Sequence, residues 1–318
     1  MPAIPSAHKP PRFSVIIPTY RRAELLAQAL ASVVAQTYSD FEIIVVDDDP
    51  AGSANETVAE FAGCHPEALI RYYRNDHARG GAGTRNAGIE RALGEWVAFL
   101  DDDDTWLPEK LTRVDQLIGD KADPQLVMVY TGHVKYDFEE QREIPAFMPS
   151  VRGMALDRVL YENAIGGMSV VVARGSVLQD LGGFDERFES LQDMELYVRL
   201  AERGSFDFVP LPLVRIRSSS RERITQNPRK KLQGAKLFAQ KYVDQLGRSP
   251  RLKHRAASRV FVFAVAARDY GEALKNTPWT MAGLLVDPAN LLYVVKSMLR
   301  QMKAFGVTTV KTVRAPAR

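Results

Sequence analysis

A single cysteine, Cys64, rules out any disulfide within the chain, and five histidines with no Cys/His cluster leave no structural zinc site. A reducing, cytoplasmic setting is the expectation. Long hydrophobic runs are missing as well: the longest strongly apolar stretch, VFVFAVAA at 260–267, has eight residues, where a membrane-spanning helix needs about 20. The first twelve residues, MPAIPSAHKPPR, hold four prolines and nothing of signal-peptide length, so a disordered lead-in over 1–12 is expected and secretion is not. Acidic residues are scarce towards the C-terminus, where 221–318 carries 20 Lys and Arg against 5 Asp and Glu, while 1–220 carries 22 against 34. An acidic body suits a cation and a basic tail suits an anionic partner, although two solvated faces would give the same counts.

What is present is core-forming material: 46% of the 318 residues are hydrophobic, enough for one large domain with an appendage. From Phe13 onward short β-branched runs alternate with segments of helical period. FSVIIPTY (13–20), FEIIVVDDD (41–49), LIRYYRN (69–75) and WVAFL (96–100) read as strands, with helices RAELLAQALASVVAQT (22–37), NETVAEFAG (55–63) and GTRNAGIERAL (83–93) between them. Near-continuous Val and Ile runs separated by helices predict a parallel sheet covered on both faces. Pro108 opens a further helix through about Ile118. LVMVYTGHVKYD (126–137) and MSVVVAR (168–174) read as strands, and LQDMELYVRLAERG (191–204) as a helix ended by Gly204. A polar linker, SSSRERITQNPRKK (218–231), leads to helices at about 229–246, 250–268 and 288–305. The fold class is α/β, with a central mixed, mostly parallel sheet over 13–220 and a basic helical region over 221–318.

In a parallel sheet every strand points the same way, so the residues after each strand gather along one edge, where open α/β folds bind ligands. Asp47, Asp48 and Asp49 follow one strand and Asp101, Asp102, Asp103 and Asp104 another, which puts seven carboxylates at one cleft mouth. Two unit charges about 5 Å apart at an effective dielectric near 20 repel by roughly 3 kcal/mol, so the group needs a cation or hydrogen-bond donors among it. All-oxygen ligands favour Mg2+ or Mn2+ over zinc, and the ion would in turn hold an anionic substrate. A solvated acidic loop, with Asp104 or Thr105 capping a helix or turn, is the plainer alternative. GGAG at 80–83 lacks the third glycine of a dinucleotide fingerprint, which argues against NAD.

SVIIPTYRR (14–22), LASVVAQTYSDFEIIVVDDD (30–49), GTRNAGIERALGEWVAFLDDDD (83–104) with TWLPEKL after it, GGFDERF (182–188) and LQDMELYVRLA (191–201) occur in a telling order. The set resembles the family 2 inverting glycosyltransferases, which have the Rossmann-like glycosyltransferase A-type fold. The resemblance covers about residues 13–217 and makes 13–220 the catalytic domain. It implies a nucleotide-sugar donor whose nucleotide pocket is lined by Pro18, Thr19, Tyr20 and Asp48, with Asp48 accepting a hydrogen bond from the base. Asp101 and Asp102 would lie near the ribose and sugar. Asp103 would bind the Mn2+ or Mg2+ ion that bridges the donor diphosphate. Arg85, at the basic position of the family's ARN segment, would approach the donor; a surface salt bridge is the other role open to it.

The resemblance puts the general base, which takes the acceptor's proton, at Asp193. Ser190-Leu191-Gln192-Asp193 also reads as a capping box, and a helix N-terminus would keep the carboxylate ionised. Glu195 faces elsewhere. Gln192 stands where many relatives have a glutamate, and Arg217 where many carry a histidine close to the metal or diphosphate. Either water completes the coordination or Arg217 pairs with the phosphates. The QxxRW motif of processive polysaccharide synthases is missing, which favours adding one or a few sugars. The implied acceptor is a saccharide or lipid-linked saccharide in cell-surface polysaccharide or glycan assembly.

In NLLYVVKSMLRQMKAF (290–305) Leu291, Val295, Met298, Met302 and Phe305 recur at helical spacing, opposite a stripe of Lys296, Arg300 and Lys303. Such a helix can lie peripherally on an anionic membrane at its inner face, or pack against the catalytic body or a second subunit of a homo-oligomer. Nucleic acid is not an expected partner, because the tail shows no binding motif. Two rival readings stand. DDDDT (101–105) also fits the D-x-D-x-T signature of haloacid dehalogenase-like phosphatases, with Asp101 as nucleophile and Asp103 as acid/base. The fold alone would also suit a non-catalytic nucleotide-sugar-binding protein.

Overall fold

Buried β-branched and aromatic runs set the direction of the chain. β1 (Phe13–Thr19), β2 (Phe41–Asp47) and β3 (Leu69–Arg74) run parallel, and β4 (Trp96–Phe99) pairs in parallel with the other side of β1. Between them lie α1 (Ala23–Val34), α2 (Asn55–Cys64) and α3 (Gly80–Ile89). On α1, Leu26, Ala29, Leu30 and Val33 recur at i, i+3, i+4 and i+7 and are all buried. Each large side chain on such a stripe contributes about 1.5–3 kcal/mol by leaving water, which pins the helix to the sheet.

After β4 the sheet becomes mixed. In chain order follow β5 (Thr105–Trp106), α4 (Lys110–Lys121), β6 (Leu126–Asp137), β7 (Arg142–Phe147) and α5 (Leu156–Tyr161). Then come β8 (Val171–Arg174), α6 (Gly175–Asp180), α7 (Gln192–Ala201) and β9 (Ser205–Arg217). The sheet order is β3-β2-β1-β4-β8-β6-β9-β5, with β7 paired to β6. β8 is antiparallel to both β4 and β6, and β9 is parallel to β6. This is the expected α/β architecture with a mixed, largely parallel sheet.

The computed structural model describes residues 9–121, 123–137, 141–217 and 227–304. These fall into two compact units, one within Met1–Glu222 and the other within Arg223–Arg318. The second contains α8 (Pro228–Lys241), α9 (Val243–Gly247), α10 (Pro250–Ala267), α11 (Tyr270–Val286) and α12 (Pro288–Ala304), with α8, α11 and α12 all packed on α10.

Several expectations change. Residues 1–8 of the expected lead-in and 218–226 of the linker lie outside the described residues. Pro11 and Arg12, however, belong to the sheet edge: the Arg12 carbonyl accepts from the Trp96 amide at 3.1 Å, and its guanidinium pairs with Asp115 at 2.9 Å. The segment 168–174 is a strand only from Val171; Met168–Val170 forms a 3-10 turn that brings the Ser169 hydroxyl against the acidic turn after β4. Gly204 does not end α7, which stops at Ala201 with Glu202 as its C-cap. Glycine is required there by close approach, since a Cβ would lie 2.2 Å from the Gln125 carbonyl oxygen. The helix expected over 229–246 breaks at Tyr242, and α11 was not expected at all. Pro278 sits inside α11, and its apolar side chains are spread around the helix, which hides the period.

Topology brings the functional ends together. Thr19 is level with Asp47, and Ile16 with Phe99, so β1, β2 and β4 all emit their next residues at one edge. The reversed β8 starts at that edge, and the end of β9 returns to it through the pairing of Thr105 with Arg215.

Below the edge, Lys110 is fully buried, with its ammonium 4.6 Å over the Trp106 ring and 3.3 Å from the Val170 carbonyl oxygen. Burial lowers its pKa to about 7. A lysine depressed in the folded state opposes folding, and the penalty grows as pH falls from the unfolded value towards the folded one. Lys110→Met is therefore expected to stabilise the protein, by roughly 3 kcal/mol more at pH 6 than at pH 9. Urea denaturation at the two pH values measures the difference.

Candidate active site

The two acidic clusters solve their charge problem differently. After β2, the chain itself supplies donors. Asp47 accepts from the amides of Asp49 (2.9 Å) and Ala54 (2.8 Å) and from the Tyr72 hydroxyl (3.0 Å). Asp48 accepts from the Asn75 side-chain amide (2.8 Å) and from the backbone amides of Arg79 (2.8 Å) and Gly80 (2.9 Å). Those last two amides belong to the first turn of α3, so Asp48 caps that helix and starts it at Gly80 rather than at 83. Asp49 pairs with Arg21 at 3.0 Å, which holds its carboxyl below the usual range. Of the two remedies expected for the crowded carboxylates, a cation or hydrogen-bond donors, the cluster after β2 uses donors.

After β4 the picture is otherwise. The chain turns tightly, with the Asp104 amide bonding the Asp101 carbonyl at 3.1 Å. Carboxylate oxygens of Asp101, Asp103 and Asp104 all lie within 4.8 Å of one another. Asp102 points away, into bonds from the Thr19 hydroxyl (2.8 Å) and Arg22 (3.1 Å); burial still pushes its pKa up to about 6. Asp104 is buried and accepts from the Ser169 hydroxyl at 2.7 Å and the Arg217 amide at 3.1 Å. Burial first, then the charges of Asp101 and Asp103, push its pKa to about 8. Three hard oxygen donors, one of them buried beside the other two, fit a divalent cation of the Mg2+ or Mn2+ type. Asp104 thus stands beside Asp103 as a candidate ligand, rather than as the cap of the plainer alternative.

Cationic groups converge on the same turn. Arg85 on α3 is buried, and its guanidinium bonds the Asp101 carboxylate and the Gly81 carbonyl (3.0 Å), 5.7 Å from the Phe184 ring. It is an ion pair, as the plainer reading held, but one sunk in the site rather than on the surface. A Cβ at Gly81 would lie 3.0 Å from Arg85 Nη1 and 3.4 Å from Gln192 Nε2, so glycine makes room for both side chains. Arg217, from the end of β9, donates to the Asp103 carbonyl (3.2 Å) and to Gln28 on α1 (2.6 Å). Pro18 and Thr19 end β1 beside this turn and Tyr20 follows it; Thr19 is buried and Tyr20 is exposed.

Asp193 lies in the first turn of α7. The capping box is not formed: the helix is preceded by Leu191 in the left-handed region at φ 64°, and no side chain caps it. Asp193 does accept from the Met194 amide at 2.8 Å, as a first-turn acid would, and its other oxygen accepts from Asn163 at 3.0 Å. The side chain keeps partial access to solvent, yet protein crowds it. That crowding raises its pKa; Arg85 opposes the rise and Asp101 adds to it, which ties Asp193 electrically to the acidic turn. Glu195, by contrast, is fully buried in a two-pronged pair with Arg199 at 2.7 Å.

Ser169, Arg22 and Gln28 carried no distinguishing signal in the sequence. Ser169 bonds both the Asp101 amide (3.1 Å) and the Asp104 carboxylate, and its carbonyl holds the Trp106 indole (2.9 Å).

Known proteins share this framework. The family model Glycosyl transferase family 2 matches residues 14–172. An uncharacterized glycosyltransferase of Haemophilus influenzae is 31% identical over 194 residues, 61% of this chain and 63% of that protein. The UDP-Glc:alpha-D-GlcNAc-diphosphoundecaprenol beta-1,3-glucosyltransferase WfgD of Escherichia coli is 37% identical over 98 residues, 31% of this chain and 37% of that protein. The chain spans less than two thirds of the length of these relatives. S. aureus TarS 1-349 in complex with UDP-GlcNAc superposes with a TM-score of 0.64 at 18% identity, over 83% of this chain and 79% of that one. Mannosyltransferase PcManGT from Pyrobaculum calidifontis, in complex with GDP-Man and Mn2+, superposes with a TM-score of 0.57 at 20% identity, over 95% and 89%. At such identities the likeness speaks for the fold, and the fold is that of these glycosyltransferases.

Ser169→Ala would leave the buried Asp104 carboxylate without its hydroxyl donor. A loss of about 1–3 kcal/mol in folding stability is expected, read from the midpoint of chemical denaturation.

Proposed function

The chain belongs to glycosyltransferase family 2, and from that premise we propose that it transfers a sugar, with inversion, from a nucleotide-sugar donor to a hydroxyl of a saccharide or lipid-linked saccharide in cell-surface polysaccharide or glycan assembly. The observation that carries the reading is the meeting of Asp101, Asp103 and Asp104 oxygens within 4.8 Å, at the edge where Arg85 and Asp193 also converge. The named relatives support the substrate class. WfgD is a glucosyltransferase acting on a diphosphoundecaprenol-linked sugar, and the two solved structures hold UDP-GlcNAc and GDP-Man.

In this reading Pro18, Thr19, Tyr20 and Asp48 line the nucleotide pocket; the Asp48 amide bonds the Thr19 carbonyl at 2.8 Å, which locks the two strand ends together. Asp101 and Asp102 flank the ribose and sugar. Asp103, with Asp101 and Asp104, would hold Mn2+ or Mg2+, which when bound offsets the negative charge of the departing diphosphate. Arg85 and Arg217 add positive charge for the phosphates. Asp193 acts as general base. The acceptor oxygen bonds to the anomeric carbon, the bond from that carbon to the diphosphate breaks with its electron pair going to the nucleoside diphosphate, and the hydroxyl proton passes to Asp193. The Asn163 and Met194 bonds hold the carboxylate in one rotamer, and its raised pKa makes it a stronger base than a free aspartate. The phosphatase reading is set aside, because the family model that matches residues 14–172 is that of glycosyl transferase family 2.

A thermal-shift panel of UDP, GDP and their sugars with Mn2+ tests the donor half. At least one combination should raise the melting temperature, and Asp103→Ala should abolish the rise; a rise that survives the substitution removes Asp103 from the metal. Asp193→Asn should leave donor binding intact and lower turnover roughly 10²- to 10⁴-fold. Wild-type kcat should fall in acid with a midpoint above the ordinary carboxylate range, because protonated Asp193 cannot accept a proton. Donor binding without turnover of any acceptor would instead favour the non-catalytic binding protein.

A further inference from the structure

The second unit turns apolar side chains towards water. α11 packs on α10 through Ala273, Thr280 and Gly283, which are buried, and a Cβ on Gly283 would lie 2.8 Å from that of His254. On its other face Leu274, Pro278, Met281 and Leu285 follow an i, i+4, i+7, i+11 stripe, and all are exposed, Leu274 at 73% and Leu285 at 86%. α12 repeats the arrangement. Asn290 donates to Ser258 of α10 at 2.9 Å and Val294 is buried, while Leu292, Val295 and Leu299, at i, i+3 and i+7, are exposed. The stripe expected from the sequence therefore shifts: Leu291 and Val295 face water, Val294 faces inward, and Phe305 lies outside the described residues. A helix on a globular surface ordinarily buries its apolar stripe and shows its polar one; here α11 turns Ala273, Thr280 and Gly283 inward and α12 turns Asn290 and Val294 inward, while both carry leucines on the exterior. A patch of this kind marks an interaction site.

The charge around it selects the partner. Lys275 and Lys296 are exposed at the margins of the two stripes, and Lys253 sits 3.9 Å over the ring of the half-exposed Trp279. Residues 221–318 carry 20 basic side chains against 5 acidic ones. A second copy of the same face would bring like charge against like charge in a self-complementary contact, which works against a dimer. An anionic bilayer meets both features at once, with leucines entering the acyl boundary and lysines meeting headgroup phosphates. The helices would lie on the surface rather than span it, as no helix among the described residues is long and apolar enough to cross a membrane.

We infer that the outward face of α11 and α12 docks the protein on an anionic phospholipid surface. This rests on the second unit alone and does not depend on the proposed sugar transfer. The test is flotation of the full chain with phosphatidylcholine vesicles containing about one third phosphatidylglycerol, against phosphatidylcholine alone. The anionic vesicles should carry the protein and the neutral ones should not, and high salt should weaken the binding. Leu285→Glu combined with Leu292→Glu should lower the bound fraction roughly tenfold with an unchanged melting temperature, because both side chains already face water. Failure to float with anionic vesicles overturns the inference, as does equal flotation of the double variant. A dimer that the double variant dissociates, without lipid binding by the wild type, would assign the face to a second copy.

Discussion

Four consecutive carboxylates leave a buried strand at one point, and the surrounding fold is arranged to hold them there. Each is held by a different part of the chain: Asp102 by Thr19 of β1 and Arg22, Asp101 by Arg85 of α3, Asp104 by Ser169 before β8 and by the Arg217 amide of β9. Asp103 lends its carbonyl to the Arg217 guanidinium. The turn after β4 thus stitches the parallel half of the sheet to the mixed half. Its geometry depends on segments that are far apart in sequence.

The stitching is incomplete in charge, and that incompleteness is informative. Asp48 and Asp47 are met by backbone amides and a hydroxyl, so their cluster is a structural anchor that fixes the start of α3. Asp104 sits among other carboxylates with its pKa pushed to about 8. A buried acid held that far from its solution behaviour costs stability. Arg85 and Asp193 lie at the same edge, so a buried guanidinium and an acid with a raised pKa stand beside these carboxylates.

The two units divide the charge and the chemistry. The acidic first unit places two runs of aspartates at one edge, whereas the second is basic and keeps leucines on the outside of α11 and α12.

The chain's own pattern determined the parallel Val/Ile strands, the helices between them, the extent of β6 and the aspartates at strand ends, because period and strand polarity are local properties. The motifs also determined the family. Only the tertiary structure decided that Asp47 to Asp49 are anchored by amides while Asp101, Asp103 and Asp104 cluster, since identical residue types differ only in which donors fold against them. It likewise decided that Ser169 supports the acidic turn and that Gly204 clears the Gln125 carbonyl, both contacts between distant segments. In α11, Pro278 and scattered leucines blurred the helical period, and which side faced outward was settled by packing on α10, a long-range choice that no window of sequence contains.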